Sequence, residues 1–299
     1  MPPTVARWAA LALVFNALVW GLSWWPFRQF EGQGLHPLWA TVLIYLPTVA
    51  VILAFRPQAM TQLLRERPLW VLMLAAGTTN AAFNWAAVIG DVVRVVLLFY
   101  LMPLWSVLLA RWLLNEPLTW AAGARIVLAL LGAGIVLGAP AADGRWVLPL
   151  PQSLPDGLGL LGGFAFALNN VMLRQQASRP EEGRALAMFA GGAVVAGALA
   201  IVLSVQGRIA WPLAEGPWPG WMPAGVLAMS GIFLCANLAL QFGASRLPAN
   251  VSSVLMLSEV VFAAASAALL GAGVISGSLL VGGGLIVLAA IWAAREPAP

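Results

Sequence analysis

Ten apolar runs, each close to twenty residues long and divided by short charged, Pro-rich or Gly-rich breaks, organise this chain of 299 residues. A hydrocarbon core roughly 30 Å thick takes about 20 helical residues per crossing, so ten crossings use about 200 residues and leave short loops. The runs are 8–27, 37–55, 69–89, 93–114 and 118–138, then 157–176, 185–205, 221–241, 250–270 and 275–294. They are continuous, without the alternation of a lipid-facing strand, which excludes a barrel. Charged residues make up 9% of the chain and hydrophobic ones 62%, whereas a soluble domain carries about 25% charged residues. The expected fold is an all-α polytopic membrane protein of ten transmembrane helices. The run from Trp8 to Trp25 exceeds a signal-peptide core and lacks a small-x-small cleavage site, so it reads as a retained first span.

Five runs precede the segment Ala139 to Asp156, which carries Asp143, Arg145 and four prolines, and five follow it. The expected division is a first five-helix unit over 1–140, a linker over 141–156 and a second unit over 157–299. All 15 basic residues are Arg, spread along a chain of net charge +4 without a patch, which argues against a nucleic-acid partner. With the N-terminus in the cytoplasm, ten arginines fall on that side: Arg7, Arg56, Arg65, Arg67, Arg111, Arg174, Arg179, Arg184, Arg246 and Arg295. Arg28, Arg94 and Arg145 fall opposite with Arg208, and Arg125 lies within a run. The positive-inside rule then places both termini in the cytoplasm and the linker outside. Trp8, Trp39, Trp70, Trp112 and Trp120 sit near run ends, as an interfacial aromatic belt would.

The second half repeats the first faintly. Trp20 to Arg28 reads WGLSWWPFR and Phe166 to Arg174 reads FALNNVMLR; Asn84 matches Asn237, and Val95 to Pro103 matches Ser252 to Val260. Five spans is an odd number, so the two copies cross the membrane in opposite senses, the arrangement that lets one midplane site face either side in turn.

These features resemble the drug/metabolite transporter superfamily in its ten-span EamA-type branch. The resemblance rests on Trp20-Gly21, on the hairpin LLNEPLTWAAGARIVLALLGAGIVLG from Leu113 to Gly138, and on Glu259. Asn115 stands where the hairpin usually has glycine, and Val260 where proline usually follows the glutamate. In the first copy Pro103 is kept but Met102 stands in place of Glu, which leaves the pocket asymmetric. The density of Trp and Phe is similar to that of exporters of aromatic and other neutral amino acids. The resemblance implies a bacterial inner-membrane transporter moving such amino acids out of the cytoplasm by alternating access. An exporter of another small metabolite or drug, such as a nucleoside or sugar, is the alternative.

Polar groups in hydrocarbon are costly, so they are expected to face inward. Glu259 is the one carboxylate well inside a run. It suits a substrate ammonium, a protonation site or a structural hydrogen bond. Ser23, Trp24, Asn80, Asn84, Tyr100, Asn169, Asn170, Asn237, Gln241, Ser252, Ser253 and Ser258 complete the polar inventory. A zwitterion with an apolar side chain also needs an apolar wall, for which Trp20, Trp24, Phe83, Phe99, Trp105, Phe164 and Phe166 are candidates. The substrate-binding set is therefore Trp20, Ser23, Trp24, Asn80, Phe83, Asn84, Phe99, Tyr100, Phe164, Asn169, Asn237, Ser253 and Glu259.

Arg111 and Arg125 are expected to snorkel to the interface. Pro26 and Pro103 are expected near bends of the first and fourth spans. His36 reads as an exposed loop residue and Cys235 as a small packing residue. Gly134 and Gly138, at GxxxG spacing, permit close helix approach within one chain or across a dimer. One chain suffices for the ten spans. A lone Cys and a lone His leave no multi-ligand metal site, no nucleotide motif is present, and no cofactor is expected. An intramembrane enzyme is disfavoured, since neither HExxH nor Gly-x-Ser-x-Gly occurs.

Overall fold

The structure is a computed structural model that describes residues 3–89, 92–137, 151, 153–214, 216–270 and 277–295. These residues form helices and turns, with no strand among them. The first run becomes α1 (Pro3–Glu31), which continues through Pro26, and the second becomes α2 (Pro37–Phe55). A short amphipathic helix the runs do not foretell, α3 (Gln58–Arg65), buries Ala59 and Leu63 before α4 (Arg67–Ile89) begins. The fourth run is broken: α5 (Val92–Phe99) and α6 (Met102–Leu113) are separated by Tyr100 and Leu101, and α7 (Trp120–Leu137) follows. The second half holds α8 (Leu154–Gln175), α9 (Glu181–Val205) and α10 (Trp221–Ala244). The ninth run is broken as well, into α11 (Ala249–Met256) and α12 (Ser258–Leu269), and α13 (Gly277–Ala294) closes the series. Most of the expected linker lies outside the described residues.

Six stretches are long and apolar enough to cross a membrane: Thr4–Glu31, Pro37–Phe55, Leu154–Gln175, Glu181–Val205, Trp221–Ala244 and Ala249–Leu269. The chain is a multi-pass helical membrane protein. Its helix ends follow local chemistry. His36 caps α2 by accepting the Leu38 N–H at 3.2 Å, with Pro37 in the first turn, so it is a half-buried cap rather than a free loop residue. Ser153 does the same for α8, accepting the Asp156 N–H at 3.4 Å. After α6 the chain turns at Asn115, whose φ of 55° is left-handed. Asparagine tolerates that region better than other residues with a Cβ, which explains how it replaces a glycine here.

Helices in lipid gain little from hydrophobicity alone, so close packing of small residues carries association. α4 lies against α8 and α9, α1 against α10 and α12, α2 against α9, and α7 against α13. At the α4–α9 crossing a Cβ on Gly77 would run into the Gly191 carbonyl, and one on Gly191 into the Met73 carbonyl. At the α7–α13 crossing a Cβ on Gly132 would lie 2.6 Å from the Gly282 carbonyl. Gly134, by contrast, has nothing within 4 Å, and Gly138 lies outside the described residues. The helix phase therefore assigns the contact to Gly132.

Large apolar side chains such as Leu11, Phe55, Leu74 and Leu131 point outward, as a lipid-facing surface requires. Two further expectations are corrected. Cys235 is exposed on the outside of α10. Arg125 does not snorkel; it is buried, with its guanidinium 5.9 Å from the centre of the Trp292 ring of α13. Trp39, in the first turn of α2, donates its indole N–H to Ser204 at 3.2 Å and meets the Trp211 ring.

Candidate functional site

The middles of α1, α2, α4, α8, α9 and α10, with the breaks at α5 and α12, enclose a cavity of about 780 Å³ of empty space including its mouth. Trp20, Asn80, Phe83, Asn84, Phe99, Asn169, Asn237 and Glu259 line it, together with Asn16, Tyr45, Thr79, Phe166, Met188, Phe189, Phe233 and Leu240.

Close helix contacts set these side chains. Gly21 presses α1 onto α12, where a Cβ would lie 2.9 Å from the Glu259 carbonyl oxygen, and so brings Trp20 beside Glu259. On the other side Gly159 and Gly163 admit α5: a Cβ at Gly159 would be 2.9 Å from the Val95 carbonyl, and one at Gly163 would strike that of Phe99. Two aromatic walls result. Trp20 stacks on Phe233 with centroids 4.6 Å apart, and Tyr45 meets Phe189 edge-on at 4.9 Å. Opposite, Phe99 meets Phe83 edge-on at 5.0 Å and stacks on Phe166 at 5.8 Å.

Polar atoms between the walls are mostly held in place. The Tyr45 hydroxyl donates to Asn80 Oδ1 at 3.1 Å, and Asn80 Nδ2 donates to the Ala76 carbonyl at 2.8 Å. Asn84 Nδ2 donates to Thr41 Oγ1 at 2.7 Å, and Asn16 Nδ2 to the Ala236 carbonyl at 2.8 Å. Gln241 Nε2 donates to Asn237 Oδ1 at 2.8 Å, which aims the Asn237 amide at Met188 Sδ, 3.3 Å away. The Tyr100 hydroxyl donates to the Glu259 carboxyl, joining the break between α5 and α6 to the first turn of α12. Asn169 differs: it is buried against the cavity, yet neither its Nδ2 nor its Oδ1 has a partner. A buried amide left so costs about 1–3 kcal/mol per group, which a hydrogen-bonding ligand would offset.

Five of the expected site residues lie elsewhere. Ser23 is buried and donates to the Trp20 carbonyl at 2.7 Å. The Trp24 indole N–H donates to Ser266 Oγ at 2.9 Å, so it packs α1 on α12 above the cavity. Tyr100 is behind the wall, reaching the site only through Glu259. Ser253 is fully buried, its hydroxyl 2.5 Å from that of Ser106 on α6. Phe164 is 37% exposed and meets Trp105 edge-on, on the lipid side of α8. Asn16, Tyr45, Ala76, Thr79, Met188, Phe189, Phe233 and Leu240 also line the cavity without having been singled out from the sequence, although Asn16 carries the same sign as Asn84, an amide deep in an apolar run.

No basic side chain lines the cavity among the described residues. The arrangement thus offers one carboxylate, several amides and two aromatic faces to a ligand: an ammonium partner, donors for a carboxylate, and an apolar slot.

At the end of the bundle that holds Arg174, Arg179, Arg184 and Arg246, Glu116 reaches from the α6–α7 turn to the end of α8 and the start of α11. Its Oε2 accepts the Ala249 N–H at 3.2 Å and its Oε1 lies 3.8 Å from Arg174 Nε. Arg174 Nη1 also donates to the Ser245 carbonyl at 2.9 Å. The ends of α6, α8, α10 and α11 are tied together there.

Residues 7–138 match the EamA-like transporter family. No curated protein matches the chain in sequence. A crystal structure of a protein aligns over 95% of this chain and 96% of its own, with a TM-score of 0.74 and 23% identity, a likeness that shows a shared fold.

Proposed function

We propose that the chain is an inner-membrane transporter that exports aromatic and other neutral amino acids by alternating access around the central cavity. The observation that carries this reading is the cavity's chemistry: Glu259 as the one acid, the unpartnered Asn169 amide as donor and acceptor, and no basic side chain, between walls drawn from both halves. A zwitterion places its ammonium on Glu259, its carboxylate on amide N–H groups and its side chain between aromatic faces. An anion without an ammonium finds no cationic side chain to pair with among the described lining residues.

The ten-span, two-copy architecture belongs to the same proposal. Counting α5 with α6 and α11 with α12 as one crossing each gives ten. The broken pairs support the repeat: α5 and α11 have 8 residues each, α6 and α12 have 12 each, and the ends Phe99 and Met256 fall at matched positions. Interrupted helices at corresponding places in two halves mark the site of many transporters. Units 1–140 and 157–299 then rock about the cavity, with the Glu116 tie holding shut the arginine-rich, cytoplasmic end. The aromatic density that suggests amino acids resembles that of the exporter YddG.

The test is a counterflow and melting-temperature screen of amino acids, nucleosides and sugars on the purified chain. Phenylalanine, tryptophan and leucine are expected to respond; a response confined to sugars or nucleosides overturns the amino-acid assignment. Uptake into liposomes with and without a pH gradient tests proton coupling, which equal rates exclude.

A further inference from the structure

We propose a second site, separate from the cavity: a pocket for a phosphate oxyanion at the arginine-rich end, between the α8–α9 turn and the end of α10. It encloses about 740 Å³ including its mouth, and Ser178, Arg179, Glu181, Arg184, Ser245 and Arg246 line it. None of these residues lines the central cavity.

Arg184 carries the argument. It is 1% exposed, and its Nε and Nη1 have no hydrogen-bond partner. Its Nη2 lies 3.9 Å from Glu181 Oε1, a carboxylate whose side chain is 55% exposed. A contact that long to a solvated acid contributes little, while a buried guanidinium with open donors is strongly unfavourable until an anion meets it. A second guanidinium stands beside it. Arg246 lies 4.0 Å over the Phe242 ring, and its Nη1 donates to the Phe242 carbonyl and to Ser245 Oγ, each at 3.1 Å. No carboxylate pairs with Arg246 among the described residues. Arg179, the third, is held by Glu66 at 2.5 Å. With Arg179 neutralised by Glu66, the two guanidiniums of Arg184 and Arg246 face the single acid Glu181 in the pocket.

The first turn of α9 carries Glu181 and Glu182, and the Glu182 carboxylate accepts a backbone N–H there, so the guanidiniums and not the helix end are left to meet an anion. Rigid guanidinium forks suit a tetrahedral oxyanion with several acceptor oxygens better than a single carboxylate. Two sources supply that chemistry at a membrane surface: free phosphate, and the headgroup of an anionic phospholipid.

The experiment uses the full chain in two arms. In neutral detergent, inorganic phosphate is titrated against chloride at equal ionic strength while the melting temperature is followed. In lipid nanodiscs, phosphatidylcholine alone is compared with phosphatidylcholine plus phosphatidylglycerol. A saturable rise with phosphate, weakened at least tenfold in apparent affinity by Arg246→Gln, identifies a free anion. A rise confined to phosphatidylglycerol discs and lost in Arg246→Gln identifies the headgroup. Either result supports the site, and Arg184→Gln is expected to abolish both. No rise in either arm, or equal rises in the parent and in Arg246→Gln, overturns the proposal even if Arg184→Gln fails to fold. Neither outcome bears on transport through the cavity.

Discussion

The two broken helices have the same design and unequal contents. α5 and α6 part at Tyr100 and Leu101, and α11 and α12 part at Leu257, with matching lengths on both sides. At matched positions the first pair has Met102-Pro103 and the second Glu259-Val260. Met102 is fully buried and is not among the residues that line the central cavity, whereas Glu259 lines it. The first break still takes part, because Tyr100 sends its hydroxyl to Glu259. One half thus supplies the charge and the other the donor that holds it. A single acid shared between two halves suits an asymmetric ligand such as a zwitterion; a second acid would bring like charges together in hydrocarbon.

The largest effect is expected from Met102→Glu, which would make the pairs alike. A carboxylate at a fully buried position is expected to destabilise by about 3 kcal/mol or more, read as a lowered melting temperature. Should Met102→Glu stay stable, and rescue transport in a Glu259→Gln background, the two breaks are interchangeable and the asymmetry means nothing. Glu259→Gln comes next. On the proposed function Glu259 is the charge partner of a substrate ammonium, and its removal is worth about 1.5–3 kcal/mol, so substrate affinity is expected to fall roughly ten- to a hundredfold with little change in stability. Unaltered counterflow in this variant would separate Glu259 from substrate. Tyr100→Phe is expected to be milder, about 1 kcal/mol or fivefold in affinity, since the carboxyl stays while its donor goes.

The same comparison shows what a sequence can and cannot say. Span positions were legible because hydropathy belongs to whole segments: the run 37–55 coincides with α2. The first break was signalled by Pro103, which stands in the first turn of α6 where a bend was expected; the second was not, since Leu257 has neither Gly nor Pro beside it. The amides Asn80, Asn84 and Asn237 could be placed inward because their burial in hydrocarbon demands a partner. Tyr45, one hydroxyl in an apolar run, gave no such sign. Aromatic residues failed on phase and depth. Phe164 lies two residues from Phe166, about 200° around the helix, and so faces lipid. Trp24 shares a stripe with Asn16 and Trp20 but stands a full turn, about 5.4 Å, beyond the cavity.

The smallest expected effect tests where the halves merely pack. Ser253 on α11 was expected to bind substrate, yet its hydroxyl lies 2.5 Å from that of Ser106 on α6, and both are fully buried. Hydrogen bonds between membrane helices average about 0.6 kcal/mol. Ser253→Ala is therefore expected to lower the melting temperature slightly while leaving substrate affinity within twofold. Because the loss is that of one partner, Ser106→Ala in the same chain should add little more, and the double-mutant cycle should return a coupling of about that size. A drop in affinity with no change in melting temperature would instead bring Ser253 into the site, and with it the second broken helix from end to end rather than at Glu259 alone.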